Sequence, residues 1–425
     1  MFPIKDIQTA LKIKPAVTSD MMERIRAWQD CYSGKAVWVK DEVISVRLES
    51  SITKIFSDIT INEMTASVTV PKLDEIFKKA IRDLNMNLQE GLATGAMVIK
   101  PLGGNKVQYV SANRFIPIEY DSRGRLVKVI FPEFKKLGDS YYTRLEYHDL
   151  DTDNGLTITN TAYISDTPDR LGSKISLETV EEWADLEDKI RYPLMKAPAF
   201  GYFRTPIKNT IDGSHCGVSI FDSATGLIKQ VDIMFSMLNW EFESAERRIN
   251  VDRTALKQDK NGNPILKDKI FRAIDVTDLC QEFSPQIRVE DFIKGIEKYL
   301  RMIEFTVGLA YGDLSNTQNV DKTAAEVRTS KERKYNTVTA IQKNLQDCLE
   351  DLVYALAFYN SMTKSGYKFI CDFKDSIRTD DETEREQDRK DLANGTLRLE
   401  EYRAKWRGED IETARNNLPP QAEVL

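Results

Sequence analysis

Two long apolar stripes at helical spacing, held apart by a short insert, constrain this chain more than any other feature. From about Ser219 to Ile249, Ile220, Ala224, Leu227, Ile228, Val231, Phe235, Leu238, Phe242 and Ala245 recur at steps of three and four. A helix of that extent is about 45 Å long. A second stripe begins near Val289 and carries Phe292, Ile293, Ile296, Tyr299, Leu300 and Ile303 to about Leu309. Between them, Asn250 to Ser284 holds the turn-former Asp259-Lys260-Asn261-Gly262-Asn263-Pro264, which predicts a hairpin. Its six basic residues, among them Arg253, Lys257, Lys267 and Lys269, are cancelled by six acidic ones. Two amphipathic rods joined by a small β protrusion are expected.

Upstream, the first 95 residues are predicted helical. Ser19-Asp20 can cap a helix carrying Met22, Ile25, Trp28 and Cys31. A second helix is expected from about Asp41 to Ile61, and a third after Pro71 that stops near Gly91 and Gly95. The texture then changes to short β-rich runs, namely Met97–Lys100, Val107–Val110, Phe115–Tyr120, Leu126–Phe131, Tyr141–Tyr147 and Leu156–Ile164. Turn-formers separate them, so a small antiparallel region is predicted. A looser stretch runs through Trp183 into the Pro-rich segment Pro193–Pro206.

Beyond the second rod, Tyr311–Lys322 is a polar loop, followed by a third long helix from Thr323 to about Asn360. Lys368–Phe373 is predicted as a strand, and Asp375–Leu418 as charged helix. With 425 residues, more than one packed region is expected. The fold class is α+β.

Few chemistries survive inspection. Two histidines, His148 and His215, cannot build a His-rich metal site. Five scattered cysteines without a C-x-x-C pair suggest neither a disulfide framework nor a zinc site, and fit a reducing compartment. His215 and Cys216 are adjacent, which on an extended segment points them to opposite sides. Gly34-Lys35 lacks the surroundings of a phosphate loop. Asp149, Asp151 and Asp153 open like a calcium loop, but Asn154 and Asn160 stand where Gly and Glu are needed, so a hairpin turn is preferred. The carboxylates from Asp380 to Glu386 could pass for a two-metal nuclease centre, though interspersed Arg385 and Arg389 favour a solvated helix start. No catalytic residue, metal or cofactor is therefore assigned. A net charge of −7 argues against a protein that grips nucleic acid over much of its surface, yet allows one that lets it slide past. No apolar run is long enough for a membrane span, and Met1–Pro15 lacks a signal-peptide core, so neither secretion nor membrane insertion is expected.

The order of elements resembles the portal proteins of tailed bacteriophages, in particular those of phages and prophages of Gram-positive bacteria. The residues that carry the resemblance are distributed. They are Trp28-x-x-x-Tyr32-x-Gly34, Gly95-Ala96-Met97-Val98-Ile99-Lys100-Pro101, and Phe203-Arg204-x-Pro206-x-Lys208-Asn209 with Gly217-Val218-Ser219-Ile220-Phe221. Thr323-Ala324-Ala325-Glu326-Val327, and Phe373-x-Asp375-Ser376-Ile377 with Asp380 and Gly395, complete the set.

The resemblance implies a non-enzymatic ring, usually of twelve copies, at one capsid vertex of the virion, assembled in the host cytoplasm. Double-stranded DNA would pass through it during packaging and ejection. It implies a wing over 1–216 (helical 1–95, β-rich 96–183, irregular 184–216), stem helices over 217–249 and 285–309, and a clip containing a β-hairpin over 250–284. A tunnel loop over 310–322, a wing helix and strand over 323–374, and a helical crown over 375–425 would follow. Asp313, Leu314, Ser315, Asn316, Thr317, Gln318 and Asn319 would face DNA. The clip, with Arg253, Lys257, Asn261, Gly262, Lys267 and Lys269, would dock the terminase large subunit and later a head-completion or adaptor protein. Leu227, Val231, Phe235, Ile296, Tyr299 and Leu300 would pack subunit against subunit, and major capsid and scaffolding proteins would be further partners. Two rivals are a metal-dependent DNA-processing enzyme, using the Asp380–Glu386 carboxylates, and a head-to-tail adaptor other than a portal.

Overall fold

The computed structural model describes residues 4–418 except 41, 104, 152, 246–247, 253–259, 262–270, 275–279, 284–285, 317–323, 375–380 and 408. It is a mixed helix-and-sheet, α+β architecture. The chain opens with α1 (Ile4–Leu11), α2 (Ser19–Tyr32), α3 (Leu48–Asn62), β1 (Met64–Val68), α4 (Pro71–Ala80) and α5 (Leu84–Thr94). Thr18, one residue before the expected cap, starts α2, its hydroxyl accepting the N–H of Met21 at 3.3 Å.

Two expectations are corrected here. The helix predicted from Asp41 begins only at Leu48. Ahead of it, the N–H groups of Ile44 and Val46 bond to side chains of a distant helix, so long-range partners override local periodicity. The helix after Pro71 is two, interrupted at residues 81–83, and the second ends at Gly95 in the left-handed conformation, φ +90°.

The β region contains β2 (Ala96–Gly103), β3 (Lys106–Ser111), β4 (Ile116–Tyr120), β5 (Leu126–Leu137), β6 (Ser140–Asp151), β7 (Gly155–Ser165), β8 (Ser173–Ile175), β9 (Lys189–Tyr192) and β10 (Gly201–Arg204). A three-stranded sheet has the order β10-β2-β3, with Val98 opposite both Tyr202 and Val110. β2 packs against α5 and α8 (Ala324–Tyr359), and its consecutive Ala96, Met97, Val98 and Ile99 are all buried, as a strand covered on both faces requires. The larger antiparallel sheet runs β4-β5-β6-β7-β8, with β9 also on β7. Between β6 and β7, Asp151 accepts the N–H groups of Asp153 and Asn154 at 2.9 Å each, as in a tight hairpin turn.

Next come α6 (Thr225–Ser244), β11 (Arg248–Asp252), β12 (Phe271–Ile274), β13 (Cys280–Phe283) and α7 (Val289–Val307). After α8 follow β14 (Phe369–Phe373), α9 (Asp381–Ala393), α10 (Leu399–Arg407) and α11 (Ile411–Asn416). β14 pairs antiparallel with β1, a strand that the sequence did not announce. The first rod is shorter than expected, about 30 Å rather than 45 Å. At its start, Val218, Ser219, Ile220 and Phe221 are buried in the core before the helix begins, and at its end the chain has entered β11 by Arg248.

The main hydrophobic core gathers side chains from α2 to α5, the three-stranded sheet, the first turns of α6, the last turns of α7, and α8. A second, smaller core lies between α1 and the larger sheet, built from Ile7, Ile116, Ile130, Leu145, Tyr163 and Leu171.

A helical hairpin and its turn as the candidate functional site

α6 and α7 lie side by side, anchored in the core at one end and bearing the β11–β13 sheet at the other. Their amphipathic stripes explain the pairing. Ile228 and Val231 of α6, and Ile303 and Val307 of α7, are buried, while Leu227, Ile296, Tyr299 and Leu300 pack against them from the edge. Far from the core, Glu241 near the end of α6 accepts two guanidinium bonds from Arg288 at the start of α7, at 3.1 and 2.9 Å. The Arg288 hydrogen bonds hold the Glu241 carboxyl below its ordinary pKa.

Of the six residues expected to pack between subunits, five are thus engaged within the chain, and Phe235 is half-buried. The residues that face outward are others. Met237, Trp240 and Phe242 on α6, and Ile293, Met302 and Phe305 on α7, are exposed, Trp240 at 59% and Phe305 at 60%. Large apolar groups left exposed on a two-helix projection are candidates for contact with a partner. Of these, Phe242 and Ile293 lie on the apolar stripes, while Met237, Trp240, Met302 and Phe305 fall off them, and a large apolar side chain off the stripe is the signal that could have marked an outward residue.

At the core end, α7 runs into the turn Ala310–Asn316, which Glu304 organises. Glu304 is fully buried, and its Oε1 accepts the N–H groups of Gly312, Leu314 and Ser315 at 3.0, 2.7 and 2.8 Å. Its Oε2 accepts the Ser315 hydroxyl at 3.0 Å. Successive backbone N–H groups converging on one carboxylate form an anion nest, here filled from within. Glu297 accepts the N–H of Asn316 at 3.0 Å, and Lys334 of α8 pairs with Asp313 at 3.0 Å. Arg333 donates to the Leu309 carbonyl at 3.1 Å and lies over the rings of Phe305 and Tyr311. The turn is clamped between α7 and α8. A sequence signal existed: Glu304 is a carboxylate on the stripe Ile296, Leu300, Ile303, Val307, where only a buried partner makes sense.

Among the residues expected to face DNA, Asp313, Leu314 and Ser315 therefore bond or pack within the chain, Asn316 is exposed, and Thr317, Gln318 and Asn319 lie outside the described residues. Of the expected clip residues, Asn261 sits in a turn with Lys260, and Arg253, Lys257, Gly262, Lys267 and Lys269 lie outside the described residues. The described residues of this insert form a sheet of order β12-β11-β13, in which β11 pairs parallel with β12 and antiparallel with β13. Of the turn expected at Asp259–Pro264, only Lys260 and Asn261 are among the described residues.

The titratable groups elsewhere have structural surroundings. Cys216 is buried, and burial pushes its thiol up to about 12, which removes the thiolate that a nucleophile needs. His148 is buried and neutral, its pKa lowered by burial, and its Nε2 donates to Glu146 at 2.7 Å. Glu146 also accepts two bonds from Lys100 at 2.9 Å. Among the described residues no group of three His, Cys, Asp or Glu side chains could hold a metal ion. Asp380 and the side chains of 381–384 lie outside them. No described helix is long and apolar enough to cross a membrane.

The sequence model for the family "Phage portal protein, SPP1 Gp6-like" matches residues 85–401, about three quarters of the chain. The chain belongs to the phage portal protein family. The portal match begins inside α5 and ends inside α10, so it contains the β region, the helical hairpin, the clamped turn and α8. Portal proteins are structural components of the bacteriophage capsid that serve genome packaging, not enzymes. No curated protein matches the chain.

Proposed function

We propose that this portal chain assembles into a closed ring at one vertex of the capsid and forms the channel through which double-stranded DNA is packaged and ejected. The observation that carries the reading is the two-sided α6–α7 hairpin. Its buried residues are spent on the chain's own core, while Met237 and Trp240, one turn apart on α6, stay exposed. A heterologous contact repeated head to tail closes into a ring when its rotation divides the circle, and a projecting helical pair offers each neighbour a long side to pack on. The ring is proposed as a dodecamer.

In this reading α6 and α7 are the stem, β11–β13 and the residues around them the clip, and residues 310–322 the tunnel loop. Residues 1–216 with α8 and β14 form the wing, and residues 375–425 the crown. The polar, charge-balanced insert suits a surface that docks the terminase large subunit and then a head-completion or adaptor protein without gripping phosphate. Short polar side chains of the tunnel loop would brush DNA through brief hydrogen bonds. Capsid and scaffolding proteins would meet the wing, and assembly would take place in the host cytoplasm. Electron microscopy of the purified protein tests the reading. Rings with an axial hole are expected, and a chain that stays monomeric at high concentration refutes it.

A further inference from the structure

Asp232, on α6, is fully buried. Its Oδ2 accepts the indole N–H of Trp38 and its Oδ1 the backbone N–H of Val46, each at 2.8 Å. One turn further along, Ser236 Oγ accepts the N–H of Ile44, also at 2.8 Å. The chain ahead of α3 is thus a strap laid on α6, and its polar ties converge on one carboxylate. Directly after the strap, in the first turn of α3, Glu49 is 1% exposed, and neither of its oxygens has a hydrogen-bond partner. A carboxylate placed so is tolerable as a neutral acid and costly as an anion.

The charges around Glu49 act in opposite directions: Asp232 disfavours its anion and Arg47 favours it, more weakly than burial opposes it. From α6 it faces Asp232, which adds repulsion, and from the strap Arg47, whose guanidinium donates to the Tyr32 carbonyl at 2.9 Å. From α2 it faces the Cys31 thiol, itself pushed up to about 12 by burial and by Glu49, with Asp30 and Arg24 acting beyond it. On α5, Glu90 accepts from the Ser111 hydroxyl, and at the far end of α3, Glu63 accepts from Gln342 of α8.

We infer that the strap is a proton-controlled latch on α6, seated on Asp232 and Ser236 while Glu49 is a neutral acid and released when Glu49 gives its proton to solvent. Release takes Glu49 out to water and ends the confrontation of two carboxylates in a dry junction. Burial, helped by Asp232, outweighs the Glu49 backbone N–H and the Arg47 charge and raises the Glu49 pKa from 4.5 to about 7. A group whose pKa is raised by seating favours the seated form fully below its free value, and loses that advantage as pH rises towards the seated value. The window is therefore pH 4.5 to about 7, with no further change above it. The inference is independent of whether α6 and α7 line a channel.

Amide hydrogen exchange on the purified full-length chain tests it, read as protection factors at Ile44 and Val46 corrected for intrinsic rates. Between pH 5 and 7 protection in the wild type should fall roughly tenfold per pH unit, and Glu49→Gln should abolish the fall. The Ile99 amide in the central sheet should not follow. Flat protection in the wild type, an unchanged slope in Glu49→Gln, or an equal fall at Ile99 each overturns the latch. Glu49→Leu, which fills the same apolar surroundings without a titrating group, repeats the comparison if the amide variant does not fold.

Discussion

The Gly217 α-carbon lies against the Gly95 carbonyl so closely that a methyl group added to Gly217 would stand 1.8 Å from that oxygen. Around this contact the Thr205 N–H donates to the Gly95 carbonyl at 2.9 Å, and the Ile220 N–H to the Leu92 carbonyl at 3.0 Å. The end of α5 and the approach to α6 are thereby fastened together, and these are two of the segments that carried the family resemblance. Gly217→Ala must push the two backbones apart, at a cost of about 3 kcal/mol. Urea unfolding of the protomer measures it. A loss of less than about 0.5 kcal/mol would mean that the approach relaxes freely.

Assembly and protomer stability should separate cleanly on the hairpin. Val231 is buried in the chain's own core, so Val231→Asp should leave little folded protomer, since an unpaired carboxylate there is strongly disfavoured. Trp240→Ala combined with Met237→Ala removes exposed groups one turn apart on α6 and should change protomer stability by no more than about 1 kcal/mol while weakening the ring. Sedimentation combined with thermal unfolding checks both. Intact rings from the double variant would place the contact elsewhere.

Glu146 holds Lys100 and His148 in a nearly closed site, with side-chain exposures of 13%, 6% and 3%. Burial alone would raise the Glu146 pKa, but the His148 hydrogen bond and the Lys100 and Arg144 charges outweigh it and hold it below the usual carboxylate range. A lowered folded value means that its stabilisation is present above the unfolded pKa of about 4.5 and is lost as pH falls below that. Glu146→Ala strands the Lys100 ammonium and should cost about 3 kcal/mol at pH 7. Denaturant titrations at pH 7 and pH 3.5 check this: the gap between wild type and variant should be largest at pH 7. A gap that is equal at both pH values contradicts it.

The buried thiols should be inert. Cys31 and Cys216 are both pushed up to about 12 by burial, and burial raises the fully buried Cys348 well above the usual thiol range. Iodoacetamide at pH 7.5 should label none of the three in the native protein and all of them after unfolding in guanidinium. Rapid native labelling of Cys216, read by peptide mass, would revive a nucleophilic role beside His215.

The clamped turn gives two variants with opposite expectations. Removing Asn316 to Asn319 leaves the Glu304 bonds to Gly312, Leu314 and Ser315 untouched, so rings should form while DNA packaging or retention falls. Glu304→Ala instead leaves the N–H groups of Gly312, Leu314 and the buried Ser315 without their acceptor, and should destabilise the protomer by about 3 kcal/mol. Ring formation by electron microscopy and a packaging assay read the first, thermal unfolding the second. Packaging that is unchanged by the deletion would take this segment out of the DNA path.

Much of the architecture could be read from residue order, because it rests on short-range regularities. The apolar spacing of α2, α7 and α8, the β-rich runs of β2 to β7 between their turn-formers, and the insert between two rods all follow from periods of two and 3.6 residues. So did the family, whose signal is the order of these elements. Tertiary structure alone decided what the long-range partners took over. It made residues 42–47 a strap, because Asp232 and Ser236 claim their N–H groups from 186 to 192 positions away. It shortened α6, because Val218 to Phe221 are needed in the core, and it turned Leu227 and Val231 inward and Trp240 and Phe305 outward. It also put Glu304 under a turn and left Glu49 without a donor. Helical spacing marks a side chain as apolar-facing, but which surface it meets depends on partners far away in the chain, and no local pattern encodes them.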